Sequence, residues 1–186
     1  MKKFTLLSLT ASLMVFLSCN LQAQDQSNQN TEEDNETTVD MKHGIGAAAG
    51  FTTGYGLSYR YYMEHLRFQL TFSPFVRSKD DMEFSTGLTV MYNIVETKHI
   101  NLFLYESNHW KYDKYNYYNN IYDYDTGDYN SEYVENIENF VNIGIGFGFE
   151  VLFWERLSAN LMLGYGALEN FEIVQPTVEG GLFYRF

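Results

Sequence analysis

The 186-residue sequence has one cysteine (Cys19), two prolines, and only 12 Lys+Arg against 24 Asp+Glu. A single thiol excludes a disulfide framework and a cysteine-rich zinc site. The formal charge of −12 excludes a general role on nucleic acid or on an anionic lipid surface. No helical stripe of apolar residues lasts long enough to matter. What the chain does have is aromatic residues: 15 Phe, 16 Tyr and 2 Trp, 18% of the total. With so little proline, that composition reads as strand-rich.

Lys2 and Lys3 precede an apolar run from Phe4 to Leu17. The run is too short for a membrane anchor and has the layout of a secretory signal peptide, residues 1–23. Cleavage is expected after Ala23, which satisfies the small-residue rule; it would leave 10 basic against 24 acidic residues, a net −14. Phe16-Leu17-Ser18-Cys19 is a competing, poorly matched lipobox in which Cys19 would be lipidated. Residues 24–42 carry almost nothing apolar and are expected to be a disordered acidic and polar linker.

From His43 onward the period is two. Leu66, Phe68, Leu70 and Phe72 alternate with Arg67, Gln69, Thr71 and Ser73. Val141 to Val151 sets Val, Ile and Phe against Asn142, Gly144, Gly146, Gly148 and Glu150. Eight such segments can be marked, the first at 44–52 and the last ending at Phe186. Tight turns at 63–65, 95–98 and 153–156 alternate with connections at 53–56, 76–83, 107–137 and 167–174, most of them longer. Even strand number, tilted-strand length and asymmetric connections are the outer-membrane barrel pattern. A soluble sandwich also alternates, but it needs no aromatic residues near the strand ends such as Tyr59, Tyr92, Trp154, Tyr165 and Tyr184. The expectation is an all-β, eight-stranded antiparallel transmembrane barrel spanning 43–186, an up-and-down meander with both termini periplasmic.

The chain closes on Leu182-Phe183-Tyr184-Arg185-Phe186, with Leu182, Tyr184 and Phe186 on one face. This resembles the C-terminal assembly signal of bacterial outer-membrane β-barrels, and the resemblance covers the signal peptide and about 144 residues from His43. The closest architecture is the small barrel of the OmpX and OmpA-barrel type. The resemblance implies an outer-membrane location, a lipid environment and recognition by the barrel-assembly machinery. It implies no active site.

Eight strands enclose room for side chains and no wide pore. Expected inward residues are small on strands one, six and seven (Gly44, Gly46, Ala48, Gly144, Gly148, Gly164) and bulky on strands two to five (Arg60, Tyr62, Gln69, Met91, Phe103, Tyr105). Buried charges must pair. Arg60 is expected to reach Glu179 across strand one, with Glu64, Arg67, Glu150 and Arg185 clustered at the periplasmic mouth.

Catalytic and cofactor motifs are weak. His43, His65 and His99 fall at a rim or in turns, and His109 lies in the long loop. None is expected to share a depth with a serine and a carboxylate, so neither a hydrolase triad nor any enzymatic role is expected. The glycine repeats precede no helix and are not nucleotide fingerprints. Asp123-x-Asp125-x-Gly127-Asp128 resembles a calcium loop but puts its glycine one place early and Val134 at position twelve. No metal or cofactor is expected. The segment 107–137 holds half of the tyrosines. Trp110, Tyr112, Tyr115, Tyr117, Tyr118, Tyr122, Tyr124, Tyr129 and Tyr133 form a candidate extracellular contact surface for a glycan or protein partner. Two other roles remain open: a narrow transport or lipid-modifying barrel using the glycine-walled lumen, and a periplasmic lipoprotein sandwich.

Overall fold

A computed structural model of the chain describes residues 41–78, 81–122, 129–154 and 156–186. The expected signal peptide, nearly all of the expected linker, and Tyr124 with the calcium-like segment lie outside these residues. Eight strands follow in order: β1 His43–Ala49, β2 Gly56–Tyr62, β3 Leu66–Ser78, β4 Asp81–Glu96, β5 Ile100–Tyr122, β6 Tyr129–Phe153, β7 Leu157–Leu168 and β8 Ile173–Arg185. Each pairs antiparallel with the next and β8 returns to β1, closing the barrel. At the seam, the His43 amide donates to the Phe186 carbonyl (3.1 Å) and the Phe186 amide to the His43 carbonyl (2.8 Å). Both ends of the barrel chain therefore meet at one rim, called here the terminal rim.

The alternation sorts residues as the sequence predicts. Outward side chains are large, apolar and exposed, among them Leu57, Ile145 and Leu182 at 71%, 62% and 60%. The inward set includes Arg60, Gln69, Met91 and Phe103, all fully buried. A wall that is greasy outside and polar inside inverts the pattern of a water-soluble domain and matches a lipid-facing barrel. It also disposes of the sandwich, whose apolar faces would be buried against each other.

Strand lengths depart from the sequence reading. The first strand ends at Ala49 and not at 52, while the expected loops at 76–83 and 107–137 are largely strand. Their Tyr, Asn and charged residues suggested loops because polarity was read as solvent exposure. A hairpin projecting beyond a barrel has water on both faces and needs no apolar stripe.

β1 and β2 have seven residues each, β5 has 23 and β6 has 25. The rim opposite the termini is therefore uneven. Pairing of β1 with β8 stops at Ala49↔Gly180, and pairing of β2 with β3 stops at Leu57↔Phe72. Beyond those rungs β3 and β8 have no strand beside them on that side, among the described residues. The only two prolines, Pro74 and Pro176, lie on these two free edges. Proline lacks an N–H and is tolerated in a sheet only at such edges.

Candidate functional site

The lumen is filled in three layers. Nearest the terminal rim is an ionic layer. Arg60 on β2 donates to Glu150 on β6 across the lumen (2.8 Å), with both side chains fully buried. Arg67 on β3 donates to the other oxygen of the same carboxylate, and Ser158 adds a hydrogen bond at 2.8 Å. Arg60 also donates to Gln69 (2.6 Å), while Arg67 reaches Glu96 at 3.4 Å. The side-chain amides of Asn93 and Asn101 turn their oxygens to Arg67 at 2.7 and 2.8 Å. Excess positive charge is spread over aromatic faces: Arg60 stacks on Phe183 at 3.7 Å and Arg185 on Tyr62 at 4.3 Å.

This layer corrects the expected pairing. Arg60 does not meet Glu179, and Glu64 is an exposed turn residue beside His65, outside the cluster. The reason is stagger. Arg60 is level with Gly44, whereas Gly180 is level with Ala49, which puts Glu179 about six residues higher. At roughly 3.3 Å per residue that is about 20 Å along the strand. Arg60 lies two residues from the terminal-rim end of β2 and Glu179 six from that end of β8, and the stagger of a sheared barrel adds the rest of the offset.

The middle layer is apolar: Met91, Phe103, Tyr105 and Met162 form one buried cluster. Here the glycine wall has its use. A Cβ at Gly148 would lie 2.6 Å from the Phe103 ring, and one at Gly164 would lie 2.6 Å from the Tyr105 hydroxyl. Each glycine makes room for an aromatic ring opposite.

The third layer is a plug that the sequence reading missed. Residues 50–55, expected as strand end and short loop, dip into the lumen, and Thr52 and Thr53 are fully buried. Glu179 holds them: the Thr52 amide (3.1 Å), the Thr52 hydroxyl (2.5 Å) and the Thr53 amide (2.9 Å) all donate to its carboxylate. Ser107 bonds Thr52 at 2.7 Å. His109 Nδ1 (2.8 Å) and Asn142 Nδ2 (2.9 Å) both donate to the Phe51 carbonyl. Gly54 (φ +76) and Gly56 (φ +126) supply the left-handed turns that bring the chain in and out. Opposite them, any Cβ at Gly87 would strike the Thr53 carbonyl.

His109 is therefore an inward residue of β5 and not a loop histidine, because the period of two runs unbroken past Ser107. It does meet a serine: Ser85 Oγ lies 2.9 Å from its Nε2. With Nδ1 donating to a carbonyl, Nε2 accepts from Ser85, the tautomer a general base would need. Ser85 is, however, fully buried beneath the plug, and a peptide carbonyl occupies the place of the triad carboxylate. The pair clasps the loop.

The hairpin of β5 and β6 rises beyond its neighbours. β4 last pairs at Met82↔Lys114 and β7 at Ile143↔Ala167, yet β5 and β6 stay paired to Tyr122↔Tyr129. The eight residues from Tyr115 to Tyr122 thus stand about 26 Å free of β4. Its lower part is braced. Tyr115 donates to Glu138 (2.9 Å), Asn136 donates to both, and Asn116 donates to the Tyr133 hydroxyl at 2.5 Å. Lys114 pairs with Glu135 at 2.9 Å, a hydrogen bond that raises its pKa above the usual lysine value.

Of the candidate contact residues, Trp110 belongs elsewhere. It packs edge-on against Phe84 (5.4 Å), which packs on Phe72 (5.0 Å), an outward aromatic row on the barrel wall. Tyr112, Tyr115 and Tyr133 lie on the hairpin, Tyr133 half exposed. Tyr117, Tyr118, Tyr122 and Tyr129 lie along its upper strands. Leu182, Tyr184 and Phe186 all face outward beside the seam, Phe186 stacked on His43 at 5.9 Å.

No family model matches the chain, and no curated protein matches it in sequence. Among solved structures, the chain is similar to the N-terminal β-barrel domain of Pseudomonas aeruginosa OprF. That match has a TM-score of 0.44 and 16% identity, covering 77% of this chain and 95% of that one. Neisserial surface protein A matches at TM-score 0.46 and 11% identity, over 77% and 94%. The attachment invasion locus protein Ail of Yersinia pestis matches at 0.36 and 16%, over 77% and 96%.

Proposed function

We propose that this protein is a non-enzymatic integral barrel of the bacterial outer membrane that presents the β5–β6 hairpin to a ligand or partner outside the cell. In this reading the terminal rim with its tight turns is periplasmic and the hairpin rim extracellular. Leu182, Tyr184 and Phe186 are the face offered to the barrel-assembly machinery. The observation that carries the reading is the contrast between a lumen filled with side chains and a long, braced projection. A conduit would spend its residues on an open path; here ionic, apolar and plug layers lie in series. The glycine wall, the basis of the transport and lipid-modifying alternative, is taken up by Phe103, Tyr105 and Thr52. Tyrosine and asparagine on a paired scaffold supply contact area at low entropic cost, the composition of paratopes.

The test replaces residues 117–134 by Asn-Gly, a two-residue turn that suits the remaining hairpin. Purified wild-type and shortened proteins are compared on arrays of immobilised glycans and extracellular matrix proteins, with ion flux measured in parallel in planar bilayers. Binding by wild type alone, with neither protein conducting, supports display. Equal behaviour on the arrays together with solute-selective conductance would overturn it.

A further inference from the structure

The uneven rim has a consequence inside the membrane. Seven residues give about 23 Å of strand and roughly 18 Å of height at a tilt near 40°. An outer-membrane belt is about 25 Å tall. On the β1–β2 side, then, the strand wall ends below the top of the apolar belt, leaving a notch between β8 and the plug loop. A cavity of about 590 Å³ opens there, within the range of about 300–1,000 Å³ of small-molecule sites. Its lining crosses the wall. Ala49, Phe51 and Val178 belong to the outward, lipid-facing set, whereas His109, Lys111, Phe140 and Asn142 are inward residues of β5 and β6. Val178 pairs with Leu163, two rungs below Tyr165 and Pro176, so the opening sits near the upper margin of the belt.

The polar groups of this cavity are mostly committed. His109 and Asn142 hold the Phe51 carbonyl, and Lys111 is shared by Glu83 and Asp113, each at 3.3 Å. Among the described residues, no side chain pairs with the Gln175 amide or the Glu169 carboxylate. Counting Lys111 against Glu83, Asp113 and Glu169, the surroundings are net acidic, which opposes an anionic head group. The rim is also preformed. The turn after β7 takes left-handed φ at Glu169, Asn170 and Phe171 (51°, 59° and 75°). It is pinned to β6 by Asn170 Nδ2 donating to the Asn139 carbonyl (3.0 Å) and by the Glu169 amide donating to Asn142 Oδ1 (2.8 Å).

We propose that this cavity binds a single-chain amphiphile with an uncharged, hydroxyl-bearing head, entering sideways from the bilayer through the notch between β8 and the plug loop. The acyl chain lies against Phe51, Ile173 and Val178, continuous with the lipid surface, and the head meets the Gln175 amide. The assignment rests on the membrane-barrel reading above.

The test uses the mature protein in phosphatidylcholine nanodiscs with a monoacylglycerol carrying a diazirine on its acyl chain. Crosslinks should concentrate on Phe51 and on 168–178. Unlabelled monoacylglycerol should compete at least tenfold better than a fatty acid of equal length. Ile173→Trp, at an exposed position that tolerates bulk, should cut labelling about tenfold with heat-modifiable gel mobility unchanged, and Gln175→Leu should erase the preference for the neutral head. Labelling spread evenly over outward residues such as Leu57, Ile145 and Leu182 would mark ordinary boundary lipid and overturn the proposal, as would equal competition by the fatty acid. Failure to enter nanodiscs or to show heat-modifiable mobility would instead overturn the membrane reading beneath it.

Discussion

Removing Glu150 isolates the energetic logic of the lumen. Its carboxylate receives both Arg60 and Arg67, whose side chains are 0% and 1% exposed, together with Ser158. Glu150→Ala leaves two buried guanidinium groups without the carboxylate they share. Breaking a buried pair by deleting one partner costs about 3–5 kcal/mol. Partial relief from Gln69, Glu96 and the Phe183 face keeps the expectation inside that range and does not double it. With a urea slope of about 2 kcal/mol per molar, the unfolding midpoint should fall by roughly 2 M. The assay is reversible unfolding in phospholipid vesicles, followed by gel mobility of unboiled samples. A control replaces the two arginines together with their shared carboxylate, Arg60→Met, Arg67→Met and Glu150→Leu, which should recover most of the loss because neither fully buried guanidinium is left without its counter-ion. A cost for Glu150→Ala below about 1 kcal/mol would refute the reasoning, since it would mean the arginines are as well solvated as surface ions.

Other outcomes follow from the plug and the glycine wall. Thr53→Cys, placed in a chain lacking Cys19, should react slowly with a membrane-impermeant maleimide, and at least tenfold faster when Glu179→Ala removes the anchor; equal rates would mean the loop is not held by that carboxylate. Gly87→Ala should have the same effect on labelling, because its methyl group occupies the place of the Thr53 carbonyl. Neither change should produce conductance in planar bilayers, since the Met91–Phe103–Met162 layer stays intact below. An alkyl fluorophosphonate should leave Ser85 unlabelled in the folded protein, and stoichiometric labelling lost in His109→Ala would make the Ser85–His109 pair a nucleophilic centre.

How much could be read in advance differed by level. The eight strands and their inward and outward faces follow from a period of two, because a pleated strand leaves each side chain one of only two faces; that Gly148 lies opposite Phe103 is a matter of register. Heights did not follow. Arg60 sits two residues from the terminal-rim end of β2 and Glu179 six from that end of β8, and closure of a barrel shears neighbouring strands by a further amount no single segment records. Loop paths did not follow either. Residues 50–55 read as a continuation of β1 and a turn, and they are drawn inward by partners remote in sequence, chiefly the carboxylate of Glu179 together with Ser107, His109 and Asn142. Pro74 and Pro176 were a usable signal that went unread: two prolines in a strand-rich chain mark the edges where a neighbour is missing. Which residues face lipid and which face the lumen is set by local sterics and can be read along the chain. Tertiary structure decided which lumen residues meet and where the wall stops short, because both depend on how eight strands are offset when the sheet closes on itself.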